Sequence, residues 1–145
     1  MQKVGIHLFC IDGTNLVRGS FGYGGAQFQA QEEADSLRLV QVLEQVCGAQ
    51  GGRIEVEVFF DGGSRPGLSS SSDLRVSFAR ELEADALILD RVRSKRYAGA
   101  GKVTVVTGDA ELGAQVCDEG GRWLRVRPGT GLEEVMKSIE GRIKK

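Results

Sequence analysis

Residues 4–11 read Val-Gly-Ile-His-Leu-Phe-Cys-Ile, a mostly apolar run that an aspartate, Asp12, follows directly. A short continuous run of this kind is typical of a strand that is buried on both faces of a parallel sheet. The run is strand-length and contains His7, so it predicts neither a membrane span nor a signal peptide. We therefore expect a cytoplasmic protein without membrane association.

The rest of the chain alternates between strand-like and helical patterns. A glycine-rich stretch covers 19–31; further strands are predicted at 54–60, 74–78, 103–107 and 123–126, and helices at 34–50, 84–97, 109–119 and 132–143. This alternation predicts an α/β fold with a parallel sheet that helices cover on both faces. At 145 residues the chain has the length of one domain, so we expect 1–145 to form a single one.

Two side-chain predictions concern the core. In the helix over 84–97, Leu87, Ile88, Val92 and Tyr97 are expected to face the sheet. The three cysteines, Cys10, Cys47 and Cys117, lack metal-site spacing and have apolar or small neighbours. That context is typical of buried free thiols in a reducing compartment.

Charge is unevenly distributed along the chain, although the net charge is only -1. Residues 1–90 contain 7 Lys and Arg against 13 Asp and Glu, whereas residues 91–145 contain 12 against 7. Such asymmetry can place an acidic site beside a basic substrate track, as a nuclease needs. It also occurs in proteins that bind no polyanion, so charge alone does not decide the function.

Four aspartates occupy positions where a sheet would bring them together. Asp12, Asp61 and Asp109 follow the first, second and fourth predicted strands, and Asp85 lies in the first turn of a helix. The carboxyl ends of parallel strands share one edge, and ligands bind there where the strand order reverses. Carboxylates gathered without basic partners need a cation, and Mg²⁺ or Mn²⁺ prefers oxygen ligands. Such an ion activates water and stabilises phosphoryl charge, which favours phosphodiester hydrolysis.

Each acid also has a purely structural interpretation. An aspartate after a strand is often a turn residue or a helix N-cap, and for Asp61 before Gly-Gly the turn is the simpler reading. Asp85 could merely favour its helix N-terminus electrostatically. The single histidine, His7, lies in mid-strand, so a histidine base or a histidine-rich zinc site is not expected.

Four segments, in chain order, resemble the motifs of the NYN domain family of the PIN-like ribonuclease superfamily. They are Phe9-Cys-Ile-Asp12-Gly-Thr-Asn15-Leu, Val58-Phe-Phe-Asp61-Gly, Glu83-Ala-Asp85-Ala-Leu-Ile-Leu and Val103-Thr-Val-Val-Thr107-Gly-Asp109-Ala-Glu111-Leu. The chain is most similar to the YacP-like branch. The resemblance implies a three-layer α/β/α, Rossmann-like sandwich with strand order 3-2-1-4-5 and a divalent-metal endoribonuclease activity.

The resemblance also implies roles for individual residues. Asp12, Asp85 and Asp109 would hold Mg²⁺ or Mn²⁺, and Asn15 would orient Asp12 or a metal-bound water. Asp61 and Glu111 are second-tier metal ligands. Gly108 stands where the family more often has serine, and this removes a hydroxyl that could bond a carboxylate or a phosphate.

RNA is the predicted partner, either free or within a ribosome. The candidate phosphate contacts are Arg18, Arg65, Arg91, Arg93, Lys95, Arg96 and Lys102. A solvated helix face explains the run from Arg91 to Arg96 equally simply. The aromatic residues of the glycine-rich stretch, Phe21, Tyr23 and Phe28, either stack on unpaired bases or pack over the sheet edge.

Two other functions compete. Cys10-Ile-Asp12-Gly-Thr14 superficially resembles the opening motif of haloacid-dehalogenase-type phosphatases, but Cys10 stands where those enzymes need an aspartate nucleophile. The other is an RNA- or ribosome-binding module that kept the fold and cuts nothing. Stimulation of single-stranded RNA cleavage by Mg²⁺ or Mn²⁺ would separate the nuclease from both.

Overall fold

Five strands and five helices make up the described part of the chain in the computed structural model. They are β1 (His7–Asp12), α1 (Gly13–Ser20), α2 (Phe28–Gly48), β2 (Ile54–Phe60), β3 (Arg75–Phe78), α3 (Ala84–Tyr97), β4 (Val103–Thr107), α4 (Ala110–Asp118), β5 (Arg122–Arg125) and α5 (Leu132–Lys144). The structure describes residues 6–20, 28–49, 54–65, 67–71, 74–98, 101–127 and 129–144.

The strands form one parallel sheet in the order β3-β2-β1-β4-β5. This confirms the predicted α/β class and strand order. β1 is central, with β2 on one side and β4 on the other; Ile11 pairs with both Val58 and Val106. The chain thus adds β2 and β3 on one side of β1 and then β4 and β5 on the other. The reversal leaves a crevice at the carboxyl ends of β1 and β4.

Side chains of β1 alternate between two apolar layers, which explains its nearly unbroken apolar sequence. Phe9 and Ile11 pack with residues of α1, α2 and α5 on one face. Leu8 and Cys10 pack with residues of α3 and α4 on the other. Each large apolar side chain fully buried in this way stabilises the fold by roughly 1.5–3 kcal/mol. The sheet is therefore the middle layer of a three-layer sandwich.

Helix α1 was not predicted, because the periodicity of so short a segment is hidden by its glycine, threonine and asparagine. It begins immediately after β1 and buries Leu16 and Val17. Gly13 is required at its start, since an added Cβ would lie 2.7 Å from the Phe60 ring and 3.0 Å from the carbonyl oxygen of Phe59. This close approach sets the first turn of α1 directly on the end of the sheet.

Some expectations were wrong. Helix α2 begins at Phe28 and not at residue 34, so part of the predicted glycine-rich stretch is helical. Tyr97 is 96% exposed because it ends α3, beyond Val92, the last buried residue of that helix. Cys117 is exposed, since it follows the sheet-facing Val116 around α4, whereas Cys10 and Cys47 are buried.

The aromatic residues proposed for base stacking belong to the glycine-rich stretch. Phe21 and Tyr23 lie outside the described residues, as does the side chain of Phe28. None of the described helices combines the length and the apolar character that crossing a membrane requires.

Candidate active site

A cavity of about 440 Å³ opens at the carboxyl edge of the sheet, where the strand order reverses. Its walls come from β1, α1, the turn after β2, the start of α3 and the residue before α4. The lining residues are Asp12, Thr14, Asn15, Arg18, Asp61, Glu83, Ala84, Asp85 and Asp109. The four aspartates predicted to converge therefore surround one space, and Glu83 adds a fifth acid.

Asp12 is the most deeply placed of these acids. It is the last residue of β1 and only 6% exposed. One carboxylate oxygen accepts a 2.8 Å hydrogen bond from Thr107 Oγ1 at the end of the neighbouring strand β4. Burial, and then the negative charges of Asp61 and Asp109, raise the pKa of Asp12 to about 7, although hydrogen bonds from the Thr107 hydroxyl and the Asn15 backbone amide oppose the rise. An ionised Asp12 is thus costly to this fold unless positive charge reaches it.

Thr107 and Asn15 tie the end of β4 to the start of α1. Besides donating to Asp12, Thr107 Oγ1 accepts a 3.1 Å hydrogen bond from the backbone amide of Asp109. Asn15 Oδ1 accepts a 2.8 Å bond from the backbone amide of Gly108. A Cβ at Gly108 would lie 2.9 Å from the Val126 carbonyl oxygen and 3.2 Å from Asn15 Oδ1. Glycine therefore suits this close approach.

Asp109 has a structural role as well as a place on the cavity wall. It is the N-cap of α4, and its Oδ1 accepts hydrogen bonds from the amides of Glu111 at 2.9 Å and Leu112 at 3.2 Å. This is the cap interpretation that the sequence left open. Its other oxygen, Oδ2, makes no hydrogen bond or ion pair to any described residue, so the cap occupies only one face of the carboxylate.

Asp61 joins three elements around the cavity. Its Oδ1 accepts a 2.8 Å hydrogen bond from the amide of Ala84, the first residue of α3. Its own amide donates to Thr14 Oγ1 at 2.8 Å. Asp61 therefore caps a helix distant in sequence and sets the position of Asp85, one residue further along that helix. Asp85 is partly buried and has no hydrogen-bond or ion-pair partner within the described ranges.

Comparison with known proteins identifies the family. The model of the YacP-like NYN domain matches residues 9–145. The chain belongs to the YacP-like NYN family. Two crystal structures of Rae1 (YacP) from Bacillus subtilis are similar to this NYN domain. One, of a tryptophan-to-leucine variant, has a TM-score of 0.58, 20% identity, and coverage of 96% of this chain and 80% of that chain. The other has a TM-score of 0.55, 20% identity and coverage of 94% and 77%. No curated protein sequence matches the chain.

Family membership makes this a PIN-like, nuclease-type domain. The phosphatase alternative loses its chemical basis as well. Cys10, which stands at the position of the phosphatase nucleophile, has no exposed surface and faces α3 and α4. Burial raises the pKa of its thiol, so Cys10 is a core residue of the NYN domain.

The other predicted residues around the NYN cavity are placed less centrally. Glu111 is exposed in the first turn of α4 and is not among the residues that line the cavity. Arg65 is also outside it: its guanidinium lies over the Phe60 and Phe78 rings, 5.2 and 5.8 Å from their centroids. Arg18 does line the cavity, and its Nε is 2.7 Å from Glu32 Oε1.

The basic residues predicted along α3 lie beyond the cavity, and three of them already have acidic partners. Closest N–O distances are 3.0 Å for Arg91–Glu57, 2.9 Å for Arg93–Glu119 and 3.2 Å for Lys95–Glu55. The Arg96 guanidinium packs against Gly120. Because each pair neutralises its cation, a phosphate would have to compete with a carboxylate to use these residues.

Carboxylates dominate the charge at the NYN cavity. Arg18 is the one cation among its described lining residues, against five acids. Among those described residues, no three histidine, cysteine, aspartate or glutamate side chains lie close enough together to enclose a metal ion. The acids are therefore arranged around a space, not packed into a closed cage.

Three polar residues of the site were not singled out from the sequence: Thr14, Glu83 and Thr107. Each stands inside a motif that was recognised, two residues from an aspartate. Thr107 is fully buried at the end of β4. A buried hydroxyl next to a predicted acidic site was the available signal, since such a group must find a partner there.

Proposed function

We propose that this NYN domain is a divalent-metal-dependent endoribonuclease that hydrolyses RNA phosphodiester bonds. The observation that carries the proposal is the meeting of Asp12, Asp61, Asp85 and Asp109 around one cavity at the reversal of the strand order. RNA phosphates would be repelled by these acids alone. A hard dication resolves the repulsion, because it binds carboxylates and phosphate oxygens together.

The chemistry of the donors fits Mg²⁺ or Mn²⁺. All the candidate ligands are carboxylates, and burial makes the charge of Asp12 unfavourable unless a cation binds beside it. Mg²⁺ commonly uses only one or two carboxylates and keeps several waters, so a closed cage is not needed. Asp12, Asp85 and Asp109 would hold the ion, one or two of them directly and the others through its bound waters. Asp61 and Glu111 rank lower, because Asp61 caps α3 and Glu111 lies outside the cavity.

A bound dication would supply a water of lowered pKa and neutralise charge on the scissile phosphate. The protein's own groups position the reactants. Thr107 holds the Asp12 carboxylate through its hydroxyl. The side chain of Asn15 is anchored because its Oδ1 accepts a hydrogen bond from the backbone amide of Gly108. Its side-chain nitrogen, Nδ2, has no hydrogen-bond partner among the described residues. That nitrogen is therefore available to donate to a phosphate oxygen or to a water beside Asp12.

The direct test is cleavage of a fluorescently labelled single-stranded RNA by purified protein. We expect cleavage with Mg²⁺ or Mn²⁺, none in EDTA, and recovery when Mn²⁺ is restored. Asp12→Asn and Asp109→Asn should each abolish it. Asparagine caps helices as well as aspartate does, so the second variant removes charge while keeping the start of α4. Asp90→Asn, an exposed acid on α3, is the matched control and should cleave normally.

Two results would contradict the proposal. Near-normal rates in Asp12→Asn or Asp109→Asn would show that any cleavage arises elsewhere. Binding of RNA without metal-stimulated cleavage, unchanged by Asp12→Asn, would instead make the domain a non-catalytic RNA-binding module.

A further inference from the structure

Two arginines at the end of β5 stand beside the candidate site without acidic partners. Arg125 pairs with Thr107 in the sheet register, so it lies level with the last residue of β4. Arg127 follows two residues later, and both are exposed. Neither makes an ion pair with a described residue, unlike Arg91, Arg93 and Lys95 of α3.

This end of β5 is fastened to the site through its backbone. The carbonyl oxygen of Thr107 accepts two hydrogen bonds, from the Val126 amide at 3.1 Å and from Trp123 Nε1 at 3.0 Å. The Val126 carbonyl in turn approaches Gly108 so closely that a Cβ there would lie 2.9 Å away. The segment from Trp123 to Arg127 is thus held next to the residues that position Asp12 and Asp109.

Arg125 is also held in place by its side chain. Its guanidinium carbon lies over the Trp123 ring, 5.6 Å from the centroid. The indole packs against Gly113 of α4, where an added Cβ would come within 2.2 Å of ring atoms. A guanidinium stacked on a ring keeps its in-plane N–H groups free, and these match the oxygens of a phosphate.

The opposite flank of the cavity, at the start of α3, carries acidic side chains. There Glu83 and Asp85 line the wall, and Arg80, the exposed cation nearest to them in sequence, is followed by the exposed Glu81. On the β5 flank Arg125 and Arg127 are exposed, and exposed acids lie on the neighbouring helices, Glu111 on α4 and Glu134 on α5. A polyanion that approaches the cavity from the β5 side therefore meets two exposed arginines, whereas from the α3 side it meets Glu83 and Asp85.

We infer that Arg125 and Arg127 form the phosphate-binding track that leads an RNA strand into the cavity. This inference rests on the proposed function, because it takes RNA as the ligand. It places the track at the end of β5 and not on α3, where three of the four predicted cations already form ion pairs. The two arginines bind phosphates flanking the cleaved bond and carry no base specificity.

The test is equilibrium binding of fluorescein-labelled oligouridine in the Asp12→Asn background, measured by anisotropy over a range of KCl concentrations. For single strands, log K falls with log salt by about 0.7 per phosphate neutralised. Arg125→Gln and Arg127→Gln should each reduce the slope by about 0.7, and the double variant by about 1.4. Arg125→Lys keeps the charge and should keep the slope even if the stacking on Trp123 is lost.

Arg122→Gln is the matched control. Arg122 is an exposed arginine at the start of the same strand. Its charge helps to lower the pKa of His7, which begins β1, so Arg122 lies at the edge of the sheet opposite to the cavity. It should leave the slope unchanged, as should Arg93→Gln. An equal loss in either control, or an unchanged slope in the double variant, would overturn the track.

Cleavage distinguishes this failure from failure of the proposed function. Metal-stimulated cleavage with an unchanged slope in the double variant would refute the β5 track and leave the nuclease intact. Binding with the predicted slopes but no cleavage would refute the nuclease and leave the track. Absence of oligouridine binding would overturn the track, because its ligand would be missing.

Discussion

Replacing Asp12 by asparagine should make the metal-free protein more stable at pH 8. The pKa of Asp12 is raised from 3.8 to about 7, mainly by burial. Above that pH the folded protein carries a buried carboxylate whose charge the unfolded chain holds more cheaply. At about 1.4 kcal/mol per pKa unit, the cost approaches about 4 kcal/mol, and asparagine, which resembles the protonated acid, removes it.

The same linkage fixes the pH dependence and its sign. A carboxyl group whose pKa is raised by folding contributes stability at low pH, and that contribution is lost as the pH rises through the folded pKa, here about 7. The advantage of Asp12→Asn should therefore shrink from about 4 kcal/mol at pH 8 to about 2 kcal/mol at pH 5. Urea unfolding in EDTA, followed by circular dichroism at both values, measures the difference.

Binding of Mn²⁺ should raise the free energy of unfolding of the wild type and not that of the variant. A ligand that binds only the folded state stabilises it by about 2.7 kcal/mol at one hundred times its dissociation constant. Wild-type protein should gain such an increment at pH 8, whereas Asp12→Asn should gain little. Asp90→Asn should change the free energy of unfolding by less than about 0.5 kcal/mol in either condition. A less stable Asp12→Asn protein, or an effect that does not vary between pH 5 and pH 8, would refute the reasoning.

Further predictions concern the groups that support the site. Thr107→Val removes the hydroxyl that donates to Asp12 and should slow cleavage by roughly 10–100-fold and cost about 1–3 kcal/mol; Thr104→Val, at the other end of β4, should leave cleavage nearly unchanged, and an equal loss there would point to general destabilisation. Gly113→Ala forces a methyl group into the indole packed on it and should cost about 1–3 kcal/mol in urea unfolding. Gly141→Ala, with open space around it, should instead stabilise α5 by up to about 1 kcal/mol; the reverse order would contradict the packing.

Much of the fold could be predicted because local pattern and tertiary environment agree. The strands at 54–60 and 103–107 and the helix at 84–97 have the predicted bounds. Helix α1 could not be predicted in the same way. Its residues form a helix because Leu16 and Val17 are buried against the sheet, and the glycine at its start permits that contact. Tertiary packing thus overrides a weak local preference.

The candidate site, too, could be predicted only in part from the sequence. The acids could be located from the sequence, since each follows a strand or opens a helix. Their partners could not, because the bond from Thr107 to Asp12 joins residues 95 positions apart. The ion pairs of α3 were hidden for the same reason: Glu57 and Glu55 lie on β2, far from the cations in sequence. Spacing along a chain cannot reveal which charges are already neutralised.

The acids of the cavity differ in what the fold requires of them, and this difference bears on function. Asp61 and Asp109 each cap a helix, so their presence would be explained without any reaction. Asp12 also accepts a hydrogen bond from the backbone amide of Asn15 at the start of α1, but it is more deeply buried than the other two, and its raised pKa means that its charge opposes folding. A carboxylate that destabilises the fold while facing a cavity is better explained by a ligand than by structure. Asp12 is therefore the residue at which structural and functional explanations separate, and its substitution tests the proposed function most sharply.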